Sequence, residues 1–148
     1  HIVYGTDTGN SEYVANMAYK YYQKQGMDPA VHNISDLSPE DLRGFQNLLV
    51  VVSTVGEGAP PASARAFFRA LHAGEVPELS HLRYAVCALG DSSYEYFCEA
   101  GKTIDRRLQE LNARPLHSRV DCDADFAEPA IDWIKGTFSK LKNEQVLQ

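Results

Sequence analysis

The run from Leu48 to Ser53 constrains the fold of this 148-residue chain more than any other feature. It is apolar almost throughout and rich in valine, which is typical of a strand buried on both faces. Tyr84–Leu89 has the same character. Strands of this kind belong to parallel sheets that helices cover on both sides, so the sequence predicts an α/β protein.

Three further strands and four helices alternate with these runs. Strands are predicted at Ile2–Gly5, more weakly at Ala30–Ile34, and at Arg114–Asp121, where Pro115 suits an edge position. Helices are predicted where apolar residues recur at helical spacing: Val14, Ala18 and Tyr21; Ala64, Phe67, Phe68 and Leu71; Ile104, Leu108 and Leu111; and Ile131, Ile134, Phe138 and Leu141. Right-handed crossovers then favour a three-layer, doubly wound sheet of five parallel strands in the order 2-1-3-4-5.

Composition and charge exclude several classes of partner. A net charge of −6 argues against nucleic acid, and the longest aliphatic run, Leu48–Val52, is too short to cross a membrane. The three cysteines show no C-x-x-C spacing and the five histidines form no short-range ligand pair. Neither a disulfide framework nor a metal site is therefore expected, and a cytoplasmic location fits best. Since the chain starts at His1 inside a predicted strand, we expect a domain excised from a larger protein.

The segment Thr6-Asp7-Thr8-Gly9-Asn10-Ser11 follows the first predicted strand and opens the first predicted helix. Its backbone N–H groups and hydroxyls would meet at the positive end of a helix dipole, which predicts a phosphate site. The segment contains no lysine, which favours a phosphate monoester over a polyphosphate with magnesium. An ordinary helix N-cap is the simpler alternative.

Two further loops fall at the same edge of the predicted sheet, where doubly wound proteins bind ligands. The loop Ser53–Pro61 is rich in small residues and glycine, which permits close approach to a flat ligand. The loop Leu89–Cys98 carries several aromatic residues. Together the three loops predict a site for a phosphorylated planar ring. The alternative is that Gly58–Pro60 is only a turn and that Tyr96 and Phe97 belong to the core.

Other α/β classes fit the same loops poorly. A phosphoacceptor receiver domain needs an acidic pair after strand 1, an aspartate after strand 3 and a lysine after strand 5. The chain has Gly5-Thr6, Ser53-Thr54 and Asp121-Cys122 at those places. It has neither a G-x-G-x-x-G motif after strand 1 nor a G-x-S-x-G elbow, which argues against a dinucleotide-binding domain and a serine hydrolase.

In order and spacing, the three loops resemble the FMN-binding loops of the flavodoxin family, specifically those of flavodoxin-like domains in diflavin reductases. The stretch from Leu89 to Asp123 is similar to the flavoprotein components of NADPH-sulfite reductases. The resemblance implies a flavodoxin-like fold and a single FMN-binding domain over residues 1–148, with FAD and NADPH bound only in the rest of the parent protein. Electrons would pass from an FAD/NADPH reductase module to a haem or iron–sulfur protein such as sulfite reductase haemoprotein. The alternative is a free-standing short-chain flavodoxin that shuttles electrons between separate partners.

The resemblance also assigns roles to residues. The FMN phosphate would be held by Thr6, Asp7, Thr8, Gly9, Asn10 and Ser11; the inner side of the ring by Ser53, Thr54, Val55 and Gly56; and the outer side by Leu89, Gly90, Asp91, Ser92, Ser93, Tyr94, Glu95, Tyr96, Phe97 and Cys98. Tyr94 is the best candidate to stack on the ring. A backbone carbonyl in Val55–Glu57 would face flavin N5, and an acidic rim would dock the partner protein: Glu57, Asp91, Glu95, Glu99, Asp121 and Asp123. No side chain is expected to act as a catalytic acid or base, because the flavin carries the chemistry.

Overall fold

The computed structural model describes residues 1–6, 9–55, 58–73, 76 and 78–146. The strands in this part of the chain are β1 (Ile2–Gly5), β2 (Val31–Asn33), β3 (Asn47–Ser53), β4 (Arg83–Leu89), β5 (Arg114–Pro115) and β6 (Val120–Cys122). The α-helices are α1 (Asn10–Lys24), α2 (Arg65–Leu71), α3 (Glu99–Glu110) and α4 (Ala127–Val146). Short 3-10 helices cover Ile34–Asp36, Pro39–Gly44 and Ala62–Ala64.

The strands form one parallel sheet in the order β2-β1-β3-β4, with β5 and β6 both beside β4. This arrangement confirms the predicted order 2-1-3-4-5. The two central strands pair along their whole length, from Asn47 opposite Arg83 to Ser53 opposite Leu89. The carboxyl ends of β3 and β4 are therefore level with each other, and the loops that follow them start side by side.

Both faces of the sheet are buried, as the continuous apolar runs predict. Leu48, Val50 and Val52 of β3 face a core that contains the apolar sides of α2 and α3. Leu49 and Val51 face the opposite core, which contains α1 and α4. Alternate residues of one strand thus belong to different cores, because successive side chains of a strand point to opposite faces.

The last predicted strand is interrupted. Arg114–Asp121 was expected to be continuous, but the structure has β5 and β6 with Leu116–Arg119 between them. Arg83 and Tyr84 pair with β5, and Cys87 pairs with the first residue of β6. Four residues, 116–119, therefore lie between the two pairings on this edge, whereas β4 has only two residues, 85 and 86, between them. The extra length takes the middle of the segment out of the ladder, as in a β-bulge.

The two helices on one face of the sheet bury residues one or two positions away from some of those expected. On α4, Ile131 is 37% exposed, while Trp133 is buried. On α1, Tyr22 is the buried residue, where Tyr21 was expected. The Tyr22 hydroxyl lies 2.7 Å from Thr137 Oγ1, which joins α1 to α4 inside the core. Among the described helices, none is long and apolar enough to cross a membrane.

Candidate functional site

A cavity of about 430 Å³ opens at the carboxyl ends of β3, β4 and β6 and beside the start of α1. Cavities of this size hold small cofactors. Four segments line it, and the residues are Asn10; Ser53, Thr54 and Val55; Leu89, Gly90, Asp91, Tyr94, Tyr96, Phe97 and Cys98; and Asp123, Ala124 and Phe126. The first three groups contain only residues that the sequence predicts for the site, so the three predicted loops do meet at one place.

The remaining predicted residues divide into two groups. Described residues that do not line the cavity are Thr6, Gly9, Ser11, Ser92, Ser93 and Glu95. Outside the described residues lie Asp7, Thr8 and Gly56, and also Glu57 of the predicted acidic rim.

Helix α1 begins beside the cavity without a side-chain cap. Its N-cap, Gly9, has a φ of 95°, and the first hydrogen bond of the helix runs from the Tyr13 amide to the Gly9 carbonyl (3.0 Å). The amides before Tyr13 have no acceptor within the helix. Thr6 Oγ1 accepts a hydrogen bond from the Gly9 amide (2.8 Å) and so closes the loop on itself. Since Asn10 lines the cavity, the positive end of the helix dipole lies at one side of it.

Two hydroxyls fix the loop that follows β3. Ser53 Oγ lies 2.6 Å from Ser11 Oγ, and Ser11 is fully buried, so this contact ties the loop to α1. Thr54 Oγ1 accepts a hydrogen bond from the Ala100 amide in the first turn of α3 (2.9 Å). Thr54 thus caps a helix that follows a different strand. Both hydroxyls hold elements together while their residues line the cavity.

The next residues make a tight turn. The Val55 amide donates to the Ala59 carbonyl (2.8 Å), and the Val55 carbonyl accepts from the amides of Gly58 and Ala59 (both 3.1 Å). The Val55 carbonyl therefore has two hydrogen-bond donors within the turn. The other two residues of the segment expected to face flavin N5, Gly56 and Glu57, lie outside the described residues.

The loop that follows β4 exposes large aromatic rings at the cavity. Tyr94 is 63% exposed and Tyr96 is 46% exposed, although most tyrosine surface is buried in folded proteins. Gly58 lies against this loop with a φ of 94°, and a Cβ built on it would be 2.9 Å from Tyr96 Cβ. The close approach that glycine permits here is therefore between the two loops. Tyr96 is therefore not a core residue, and the alternative that assigned it to the core is wrong.

The two ends of the loop Leu89–Cys98, called the aromatic loop below, are held by hydrogen bonds to β4 and β6. The Gly90 amide donates to the Cys122 carbonyl (2.9 Å), and the buried Cys98 thiol donates to the carbonyls of Ala88 and Cys122 (3.5 and 3.6 Å). Burial raises the pKa of the Cys98 thiol to about 12. Cys87 Sγ lies 3.9 Å from Cys122 Sγ, and all three cysteines are free thiols. The Cys98 thiol therefore stays protonated and supports the loop.

The segment after β6 was missed as a cavity wall. Asp123, Ala124 and Phe126 line the cavity, and the Phe126 ring packs edge-on against Tyr13 of α1 with centroids 6.3 Å apart. A signal was present in the sequence, because the loop after the last parallel strand lies at the same edge as the loops after strands 1, 3 and 4. An aromatic residue in that loop was a reason to include it.

The predicted acidic rim is partly engaged in contacts of its own. Asp121 forms an ion pair with Arg119 (Nε to Oδ1 2.8 Å), and Asp91 Oδ1 accepts from the amide and hydroxyl of Ser93 (2.9 and 2.7 Å). Asp123 accepts hydrogen bonds from Ser92. Glu95 is exposed. Several of these carboxylates therefore already have partners within the chain, so fewer of them are free to bind a basic partner protein than the sequence alone implies.

The geometry fits a phosphorylated aromatic ring. An uncapped helix N-terminus supplies backbone donors for a phosphate, and the exposed faces of Tyr94 and Tyr96 supply apolar surface that a planar ring can cover. Among the described residues that line the cavity there is neither lysine nor arginine. A phosphate at this site would be bound through hydrogen bonds and the helix dipole, which suits a monoester better than a polyphosphate.

Comparison with known proteins agrees with this description. A family model described as Flavodoxin matches residues 2–133. The chain is 46% identical over 140 residues to the NADPH sulfite reductase flavoprotein alpha-component of Bacillus subtilis, covering 95% of this chain and 23% of that protein. It is 38% identical over 143 residues to the corresponding component of Neisseria meningitidis serogroup B, covering 97% and 24%. The chain thus spans about a quarter of the length of these relatives.

Solved structures share the fold over nearly the whole chain. A flavodoxin from Streptococcus pneumoniae TIGR4 superposes with a TM-score of 0.84 at 24% identity, covering 97% of both chains. A short-chain flavodoxin associated with a bacterial microcompartment superposes with a TM-score of 0.83 at 28% identity, covering 97% of this chain and 96% of that one.

Proposed function

Because the chain belongs to the flavodoxin family, we propose that it is the FMN-carrying electron-transfer domain of an NADPH-dependent diflavin reductase. FMN is the cofactor of this family, and electron transfer is its activity. The observation that carries the proposal for this chain is the meeting, at one cavity, of an uncapped helix N-terminus and exposed tyrosine rings.

In the proposed complex, different elements hold different parts of FMN. The amides at the start of α1 would bind the phosphate, assisted by the segment Thr6–Ser11. Tyr94 would cover the outer face of the ring, and the loop from Ser53 to Val55 would lie on the inner face. Tyr94 is the more exposed of the two cavity tyrosines, so it gains the most burial from a bound ring.

FMN supplies chemistry with one or two electrons when it is bound. The contribution of the chain is to orient the ring, to shield its faces and to set the local charge. Asp91 lines the cavity and Glu95 is an exposed residue of the same loop, and the field of their carboxylates opposes the build-up of further negative charge there. The loops after β3 and β4 exclude water from the ring faces and leave the rim open to a partner.

The proposed donor is an FAD/NADPH reductase module, and the proposed acceptor is a haem or iron–sulfur protein such as sulfite reductase haemoprotein, in the cytoplasm. Support comes from the relatives, whose names specify NADPH and sulfite reductase and of whose length this chain covers about a quarter. The rest of such a protein has room for a reductase module. The net charge of −6 is consistent with docking on a basic protein surface.

A free short-chain flavodoxin is the second candidate. It is favoured by the match over 97% of this chain and 96% of a short-chain flavodoxin. The two candidates share the FMN site and differ in how the donor is connected. A coding sequence that continues beyond Gln148 into a flavin- and nicotinamide-binding module would establish the first, and one that stops there would establish the second.

Titration of the apoprotein with FMN tests the proposal. We expect quenching of flavin fluorescence with one FMN per chain, because the ring becomes stacked on tyrosine. Tyr94→Ala should weaken binding by at least about twofold to tenfold, since aromatic stacking contributes about 0.5–1.5 kcal/mol beyond burial. Tyr94→Phe, which keeps the ring, is the matched control and should bind nearly as the unaltered protein does.

The titration can also refute the proposal. A folded apoprotein that leaves FMN fluorescence unchanged would remove the proposed cofactor from this chain. Equal losses in Tyr94→Ala and Tyr94→Phe would instead show that the ring of Tyr94 is not what holds FMN.

A further inference from the structure

Asp123 has more hydrogen-bond partners than an exposed carboxylate needs. Its Oδ1 accepts from the amides of Ser92 (2.9 Å) and Ala124 (2.7 Å), and its Oδ2 accepts from the Ser92 hydroxyl. The contact joins two loops that follow different strands, since Ser92 follows β4 and Asp123 follows β6. Each of these loops forms part of the cavity wall.

The aromatic loop has few other supports along its length. Residues 92–96 are exposed, so burial does not fix them. The Gly90 amide and the Cys98 thiol hold the two ends, as described above. In between, Tyr96 rests on Gly58, while the Asp91 side chain and carbonyl bind only residues of the same loop. The Tyr96 carbonyl accepts from the Glu99 amide at the start of α3 (3.2 Å) and so holds the far side of this stretch. Among the described residues, the contact between Ser92 and Asp123 is the hydrogen-bonded link from the near side of the stretch to another loop.

We propose that Asp123 is a positioning residue: its hydrogen bonds to Ser92 hold residues 91–97 in the conformation that covers FMN. This inference rests on the proposed function, because it assigns Tyr94 of that loop to the ring. A loop that is already ordered loses less conformational entropy when the ligand binds, so pre-organisation increases affinity without any direct contact. Asp123 acts through Ser92 in this role and does not need to touch FMN itself.

The charge state of Asp123 is consistent with such a role. Hydrogen bonds from the Ser92 hydroxyl, then from the amides of Ser92 and Ala124, hold the pKa of the Asp123 carboxyl below its usual range. At neutral pH the carboxylate is thus ionised and accepts from all of its donors.

A second explanation of Asp123 makes the opposite prediction. If Asp123 acts only as one more negative charge on the rim, then removing that charge should strengthen binding of an anionic ligand, whichever residue replaces it. Asparagine separates the two explanations. Its oxygen accepts from the backbone amides and its NH₂ group donates to the Ser92 hydroxyl, so Asp123→Asn keeps the contact and loses the charge.

The experiment compares Asp123→Ala, Asp123→Asn and Asp125→Ala, each as folded apoprotein titrated with FMN. Asp125 is a matched control, because it is exposed and, in the described part of the chain, accepts no hydrogen bond. We expect Asp123→Ala to weaken FMN binding by about threefold to tenfold, mainly through faster dissociation. Asp123→Asn should recover most of the affinity, and Asp125→Ala should bind as the unaltered protein does.

Amide hydrogen exchange of the apoproteins gives a readout that does not depend on FMN. Residues 91–97 should exchange faster in Asp123→Ala than in Asp123→Asn, with β4 and α3 unchanged. If neither the unaltered protein nor any variant binds FMN, the proposed function is wrong, and the exchange data still test whether the contact between Ser92 and Asp123 orders the loop. If FMN binds but Asp123→Ala matches the unaltered protein, or Asp123→Asn matches Asp123→Ala, the inference is wrong.

Discussion

At the scale of single residues, the site depends on groups that support the cavity as much as on groups that line it. Thr54 shows this, since its hydroxyl accepts the Ala100 amide and so joins the loop after β3 to α3. Gly58 has a similar effect without any polar group, because its missing side chain makes room for Tyr96. The sequence indicates that glycine is needed in this loop. It does not indicate that the close neighbour is another loop, because that depends on which loops meet in space.

Replacement of Gly58 by alanine should affect both stability and FMN binding. The new Cβ would collide with Tyr96, and a φ of 94° is strained for any residue with a side chain. Gly26→Ala is the matched control, since Gly26 has a φ of 90° but nothing within 4 Å of an added Cβ. Each variant should lose about 1–2 kcal/mol of unfolding free energy from backbone strain, measured in urea. Only Gly58→Ala should also weaken FMN binding, and equal FMN affinities in the two variants would contradict this.

At the scale of elements, long regular segments could be predicted from the sequence and irregular ones could not. The runs that form β3 and β4 are continuously hydrophobic, and a short run of this kind is typical of a strand buried on both faces. The break after β5 has no such signal, because residues 116–119 include apolar and polar residues that also suit a strand. The loop after β6 was missed as a cavity wall although its place at the carboxyl edge of the sheet and its residue Phe126 were signals for it. The hydrogen bond from Ser92 to Asp123 in that loop had no local signal.

The pairing of α1 with α4 gives a pH-dependent prediction. Burial raises the pKa of Tyr22 to about 12, against about 10 in an unfolded chain. Below pH 10 the hydroxyl is protonated in both states, so its contribution to stability is complete. Between pH 10 and 12 the unfolded chain loses the proton and the folded protein keeps it, so stability falls by about 2 kcal/mol.

Tyr22→Phe tests this assignment, because phenylalanine has no proton to lose. At pH 8 the variant should be about 1 kcal/mol less stable, since the hydrogen bond to Thr137 is lost. The stability difference should shrink or reverse by pH 11.5, as measured by urea unfolding at both pH values. A difference that stays constant with pH would show that Tyr22 does not titrate with a raised pKa.

At the scale of the whole molecule, the fold class and the location of the site follow from one regularity. Parallel strands that are buried on both faces leave only their ends for function, and the carboxyl ends carry the ligand. The three predicted loops therefore had to meet, and the structure confirms that they do. Individual atomic contacts, such as the ion pair of Asp121 with Arg119 and the hydrogen bonds to the Val55 carbonyl, could not be predicted, because no sequence pattern specifies their geometry.

The two-sided core also predicts how the thiols behave. Cys87, Cys98 and Cys122 are each fully buried. We expect all three to resist a thiol reagent such as dithionitrobenzoate at pH 8 and to react at once in denaturant, because reaction needs an exposed thiolate. In the native state, the reagent should then label the cysteines only as fast as the protein unfolds enough to expose them. One thiol that reacts within seconds in native buffer would show that the cavity base is open to solvent.

The interrupted edge next to β4 has a consequence for the behaviour of many copies in one solution. A long, flat strand at the margin of a sheet offers a row of unpaired amides and carbonyls on which a second chain can assemble. Here that margin is divided into β5 and β6, with Pro115 lacking an amide proton, and the opposite margin is the three-residue β2. Both margins are therefore poor templates for the addition of a strand from a second chain. We expect the protein to resist edge-to-edge aggregation for this reason.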